Sequence, residues 1–166
     1  MSIENGNIFE SSSEHIITTA ANGAVSVYAA DVNGDGHIDV LSASHGDDTI
    51  AWYENDGSSS GTPSFSKYVI TTTADGARSV NAADVNGDGH VDVLSASFDD
   101  DTIAWYENDG SSSGIPSFTD HVITTTADGA WSVYAADVNG DGHVDVLSAS
   151  VLDDTVGILF LVLFLF

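Results

Sequence analysis

Apolar residues in this chain fall in short runs, and Gly, Ser, Pro and Asp clusters punctuate every one of them. Four runs follow one another and then recur. Segment A, Val25–Ala30, has copies at Arg78–Ala83 and Trp131–Ala136. Segment B, Ile38–Ser44, comes after an acidic loop. Segment C, Thr49–Glu54, is β-branched and aromatic, and segment D, Phe65–Thr72, is again β-branched. No stretch sustains the three-to-four spacing of an amphipathic helix. Runs of this length, rich in Val, Ile, Thr, Tyr and Trp and bounded by turn formers, predict strands.

The recurrence is close to literal. Asp31-Val-Asn-Gly-Asp-Gly-His-Ile-Asp39 returns as Asp84 to Asp92 and as Asp137 to Asp145, at an offset of 53 residues both times. Asp48-Thr-Ile-Ala-Trp-Tyr-Glu-Asn-Asp-Gly57 returns as Asp101 to Gly110, and His15-Ile-Ile-Thr-Thr matches Tyr68-Val-Ile-Thr-Thr and His121-Val-Ile-Thr-Thr. Four strands in about 50 residues is the spacing of a propeller blade. The chain therefore reads as all-β: a β-propeller segment of about three four-stranded blades over residues 11–157, after an N-terminal tail of residues 1–10. The phase is D, ABCD, ABCD, AB and an altered C. The opening D segment, His15–Thr19, is expected to form a strand that completes the last sheet by ring closure. Three blades fall below the usual 4–8. The expectation is an incomplete ring, or self-association in which a dimer supplies six blades.

Charge sharpens the picture. The chain carries 26 Asp+Glu against 2 Lys+Arg, for a formal net charge of −24. It cannot neutralise phosphates, which excludes nucleic acid, and it is repelled by anionic membrane surfaces. It has no cysteine, hence no disulfide framework, thiolate metal site or Cys nucleophile. Of the acids, 21 are Asp and 5 Glu, a bias toward turns and metal loops rather than helices.

Nine of those acids lie in the three D-x-N-x-D-G-x-x-D loops at 31–39, 84–92 and 137–145. Oxygens at positions 1, 3 and 5 converge when the chain curls tightly, Gly at position 6 permits the curl, and position 7 offers a carbonyl. The candidate ligands are Asp31, Asn33, Asp35, the His37 carbonyl and Asp39. The second copy supplies Asp84, Asn86, Asp88, the His90 carbonyl and Asp92. The third supplies Asp137, Asn139, Asp141, the His143 carbonyl and Asp145. All-oxygen ligation suits Ca²⁺, about three per chain, which would bring −24 to −18. An EF-hand is excluded, because position 12 is Ser42, Ser95 or Ser148 and the sequence continues as strand.

Ser26-Val-Tyr-Ala-Ala-Asp-Val-Asn-Gly-Asp-Gly-His-Ile-Asp-Val-Leu41 resembles an FG-GAP/VCBS-type repeat, the family that includes the integrin α propeller and many microbial surface proteins. The resemblance implies a β-propeller with calcium in the loop joining A and B, on the residues just named. It also implies an extracellular or cell-surface setting and a non-catalytic role in adhesion or in binding a protein or glycan ligand. Two alternatives stand beside it: a carbohydrate-binding lectin, and the accessory propeller of a larger secreted hydrolase or lyase.

Other motifs read as structure. Gly57–Gly61 and Gly110–Gly114 match G-x-S-x-G, but the nucleophile elbow needs a helix after it, and here a Ser-rich loop leads to Pro63 or Pro116. His37, His90 and His143 are expected to be solvated, pointing away from the loop centre. Asp47-Asp48, Asp99-Asp100-Asp101 and Asp153-Asp154 read as turn formers between B and C. Acids repeated three times argue against a catalytic pair, which occurs once. Trp52, Tyr53, Trp105 and Tyr106 are expected to pack between blades rather than form a sugar platform. Trp131 replaces Val25 and Arg78 at its position and is expected at the surface. Met1 to Ser13 lacks the features of a secretory signal. Residues 158–166 are uniformly apolar yet too few to span a bilayer. They read as a truncated or frame-shifted end, ahead of a buried or aggregation-prone last strand, with no membrane insertion expected.

Overall fold

A computed structural model describes residues 14–59, 61–111 and 114–160. Among these residues eleven strands are present: β1 Ala24–Ala30, β2 Asp39–Ser44, β3 Thr49–Asn55, β4 Phe65–Thr71, β5 Ala77–Ala83, β6 Asp92–Ser97, β7 Thr102–Asn108, β8 Phe118–Thr124, β9 Ala130–Ala136, β10 Asp145–Ser150 and β11 Thr155–Leu159. They form three antiparallel sheets in sequential order, β1-β2-β3-β4, β5-β6-β7-β8 and β9-β10-β11. Segments A to D thus form strands to within a residue of their expected bounds. Each sheet is a meander with the form of a propeller blade.

The blades stack face on face. Strand alternation sends Leu41, Ala43, Ile50 and Trp52 from the first blade against Val80, Val93 and Tyr106 of the second, in one buried cluster. The second cluster repeats the scheme one blade on, with Leu94, Ile103 and Trp105 against Val133 and Val146. Trp52 stacks on Tyr68, centroids 4.9 Å apart, and Trp105 on His121 at 4.5 Å. Trp52, Trp105 and Tyr106 are buried between blades, and Tyr53 is buried on the leading side of the first blade, where residues 14–19 lie near it; none of the four forms an exposed platform. Trp131 is half exposed. The Arg78 guanidinium lies 4.7 Å from its ring and 5.2 Å from that of Phe98, a cation–π clasp across two blades.

Two hydrogen bonds to side chains recur at each junction. Val80 N–H donates to Ser26 Oγ and Val133 N–H to Ser79 Oγ, each at 3.3 Å. Asp48 and Asp101 adopt φ of 55° and 58° at the ends of the B–C turns, a conformation that Asp tolerates better than most residues. From there Asp48 Oδ1 accepts the N–H of Gly76 at 2.9 Å, and Asp101 Oδ1 that of Gly129 at 2.8 Å. The first two acidic turns are therefore turn formers that also bind the next blade.

One expected strand is absent. Residues 14–20 contain no strand, and the third sheet has three strands among the described residues. No ring closes. The reason lies in pairing: a D segment becomes a strand on the edge of a C strand, and His15–Thr19 lies beside the first blade instead. There His15 Nε2 meets Pro63 O at 3.0 Å, and its ring sits 6.3 Å from Phe65. The C-terminal residues 158 and 159 belong to β11; residues 161–166 lie outside the described residues.

Candidate metal centre

The three acidic loops join β1 to β2, β5 to β6 and β9 to β10, at one end of the stack. Positive φ at both glycines, 73° at Gly34 and 90° at Gly36, lets each loop coil back on itself. The coil gathers side-chain oxygens around shared backbone N–H groups. Asp35 N–H lies 3.1 Å from both Asp31 Oδ1 and Asn33 Oδ1. Gly36 N–H donates to Asp31 Oδ2 at 2.9 Å, and His37 N–H to Asp35 Oδ1 at 2.8 Å. Asp84, Asn86 and Asp88 repeat the pattern, as do Asp137, Asn139 and Asp141. Positions 1, 3 and 5 are thus brought together in all three loops.

Position 9 stands apart. Asp39 and Asp92 are fully buried and each accepts two backbone N–H groups: Val32 (3.0 Å) and Asn55 (2.8 Å) for Asp39, Val85 (2.9 Å) and Asn108 (2.8 Å) for Asp92. Asp145 is buried and accepts Val138 N–H at 3.0 Å. These carboxylates anchor the base of each loop to the sheet. Burial raises the pKa of Asp39 and Asp92, the two N–H donors oppose that, and the charges of Asp31 and Asp35, or of Asp88, add to the rise. In the first two loops position 9 is therefore within electrostatic reach of the rim. Among the described residues no three His, Cys, Asp or Glu side chains close on one point. The convergent set is two carboxylates and an amide, with the third carboxylate set back.

Sequence reasoning missed a brace around the first two loops. Asn33 Nδ2 donates to Glu54 Oε1 at 3.4 Å, and Asn86 Nδ2 to Glu107 Oε1 at 3.2 Å. The same glutamates hold strand D, through Tyr68 O–H at 3.1 Å and through His121 Nε2 at 2.8 Å. Asn55 and Asn108 add a latch from their amides to Ile38 O and Val91 O, at 3.0 and 2.9 Å. Asn108 also reaches Val32 O of the preceding blade at 2.9 Å. The signal was the recurring Trp-Tyr-Glu-Asn. The third repeat has Phe160 and Leu161 there, and so no such brace. The loop histidines are exposed, and the rings of His37 and His90 lie over Gly57 and Gly110, where any Cβ would collide with them.

The comparisons with known proteins agree with this architecture. The FG-GAP-like repeat model matches three overlapping stretches, residues 2–42, 31–95 and 84–148. The chain belongs to the FG-GAP-like repeat family. No curated protein matches it. Each of the last two matched stretches runs from the acidic loop of one repeat through that of the next, so the family signature includes the blade junctions as well as the loops. The donor set fits a hard divalent cation. Every convergent atom is an oxygen, two of the three side chains are carboxylates, and the curl that gathers them is fixed by backbone N–H groups donating to those side-chain oxygens.

Proposed function

We propose that this FG-GAP-like repeat module binds Ca²⁺ through its three loops and serves as a non-catalytic, extracellular platform for a protein or glycan ligand. One observation carries the reading: in three copies of the same loop the oxygens of positions 1 and 3 meet on the N–H of position 5, and the carboxylate of position 5 takes the N–H of the loop histidine. A plain turn requires no such concentration of like charge. In each copy positions 1, 3 and 5 would hold the ion with the position 7 carbonyl, and position 9 would close the site from the base. The bound ion would offset the repulsion among carboxylates and fix the A–B connection. Calcium is plentiful outside the cell, which supports that setting. The lectin alternative is weakened because its expected stacking residues, Trp52 and Trp105, are buried.

Calorimetric titration of chelator-stripped protein with CaCl₂ tests the reading. The expected result is three sites per chain, two of them tighter and one weaker, because the third loop lacks the Glu and Asn brace. Three equal sites would show that the brace does not tune affinity. Absence of binding into the millimolar range, the weak limit for such loops, would remove the calcium reading altogether.

A further inference from the structure

The two internal junctions define what a blade needs on each face, and the two outer faces of the stack are the unmatched halves of a third junction. On the leading face, Val27 is 71% exposed, whereas its repeat counterparts Val80 and Val133 are 3% and 4% exposed beneath a preceding blade. On the trailing face, Val156 is 81% exposed, whereas Ile50 and Ile103 are fully covered by a following blade. Loop residue Val138 is 47% exposed against 2% for Val32 and 3% for Val85. Each face keeps its junction chemistry: the leading face has Val27, Val40 and Tyr53 where the second blade has Val80, Val93 and Tyr106, with Val27 open, Val40 half-buried and Tyr53 already buried, and the trailing face keeps Leu147 and Ala149.

The leading face also carries its own missing strand. Residues 15–19 match β4 and β8 in sequence, and they lie against the first blade, lining a hollow with Val27, Val40 and Tyr53. His15 lies against Phe65, while their counterparts Tyr68 and Phe118 pack in one cluster across a junction. Between Ile17, Val27, Val40 and Tyr53 is an open hollow of about 370 Å³. At the internal junction the corresponding residues, Ile70, Val80, Val93 and Tyr106, share a cluster with Ile50 and Trp52. The trailing-face counterparts of Ile50 and Trp52 are Val156 and Ile158.

We propose that copies of this chain join head to tail: the trailing face of one third blade docks on the leading face of a second copy, whose residues 15–18 add to β11 as its fourth strand. The register follows from β3 with β4 and β7 with β8, in which Ile50 faces Thr71 and Ile103 faces Thr124. It places Val156 opposite Thr18, Gly157 opposite Ile16 and Ile158 opposite His15 of the partner copy. The contact is heterologous, so two copies closing on each other make a six-blade ring, and open addition makes longer arrays.

Sedimentation of the full chain with V27E and V156E variants tests this. Both positions are exposed in the single chain, so each variant is expected to keep the wild-type circular dichroism spectrum. Wild-type protein should associate reversibly, and each variant alone should be monomeric. An equimolar mixture of the two should stop at a dimer, since it retains one intact junction. Monomeric wild type at every concentration would leave the faces to a different occupant and overturn the proposal. So would association that survives in both single variants, or a mixture that fails to pair. A second measurement fixes the register without perturbing the face. The chain has no cysteine, and cross-strand neighbours are within disulfide reach. Mixed T18C and V156C chains should therefore oxidise to a covalent heterodimer. Failure to cross-link overturns the strand addition.

Discussion

Asp88 and Asp92 sit four residues apart and have different work to do. Asp88 is exposed on the loop rim, where its carboxylate takes the N–H of His90 and the amide of Asn86. Asp92 is buried and holds two backbone N–H groups that have no water to turn to. Leaving a buried donor unpaired costs about 1–3 kcal/mol. Asp92→Ala should therefore destabilise the calcium-free protein by about 2–5 kcal/mol in urea unfolding. Asp88→Ala should change that curve little and instead remove one site from the calcium titration. Equal urea midpoints for the two variants would contradict the division between anchor and rim. Tyr106 gives a second residue-scale test. Burial pushes its phenol up to about 12, opposed by a 3.0 Å hydrogen bond with Ser95. The fold prefers the neutral phenol, so stability is present below pH 10, where the unfolded tyrosine ionises. It is lost as pH rises through 12, by about 3 kcal/mol in total. Tyr106→Phe should flatten that part of the stability–pH curve; an unchanged slope would refute it.

At the scale of elements, the blade strands were legible because each is a short β-branched run between obligatory turn formers, and the repeat gave every boundary more than one reading. Junction contacts were not legible. Asp48 reads as an ordinary turn residue, yet its carboxylate binds Gly76, 28 residues on. Asn108 reads as the end of a strand, yet its amide reaches Val32 O, 76 residues back. Nothing local in a sequence encodes such a partner. The same limit explains the first D segment: His15–Thr19 has the composition of a strand, but pairing is a property of the edge it meets. Position 9 of the loops shows it once more, since ligand spacing alone does not distinguish a carboxylate at the rim from one that holds the base. The Asp101 turn can be tested directly. Asp101→Asn keeps an acceptor and tolerates positive φ, and should be close to neutral. Asp101→Val loses the bond to Gly129 and forces a β-branched residue to φ near 58°, which should cost about 2–3 kcal/mol in thermal or urea unfolding. Similar losses in both variants would mean that the turn does not bind the blades together.

The whole molecule must fold against its own charge. Two basic residues stand against 26 acids, and nine of the acids are concentrated in three loops at one end of the stack. Apolar burial between blades supplies the cohesion, while self-repulsion of the acids opposes the compact state. Monovalent salt screens charges over about 8–10 Å at physiological strength without occupying any site. Calcium instead neutralises the carboxylates where they are densest. The two should therefore be partly redundant. In chelator, the melting temperature should rise steadily with NaCl as loop repulsion is screened. In saturating calcium it should start higher and rise less, because the charge falls toward −18 and the removed charges are those in closest contact. Magnesium at equal ionic strength should behave more like NaCl, since it resists dehydration in an irregular oxygen site. Parallel salt dependences with and without calcium would show that the loops are not where the charge strain resides. The ion would then contribute to this fold in some way other than relieving it.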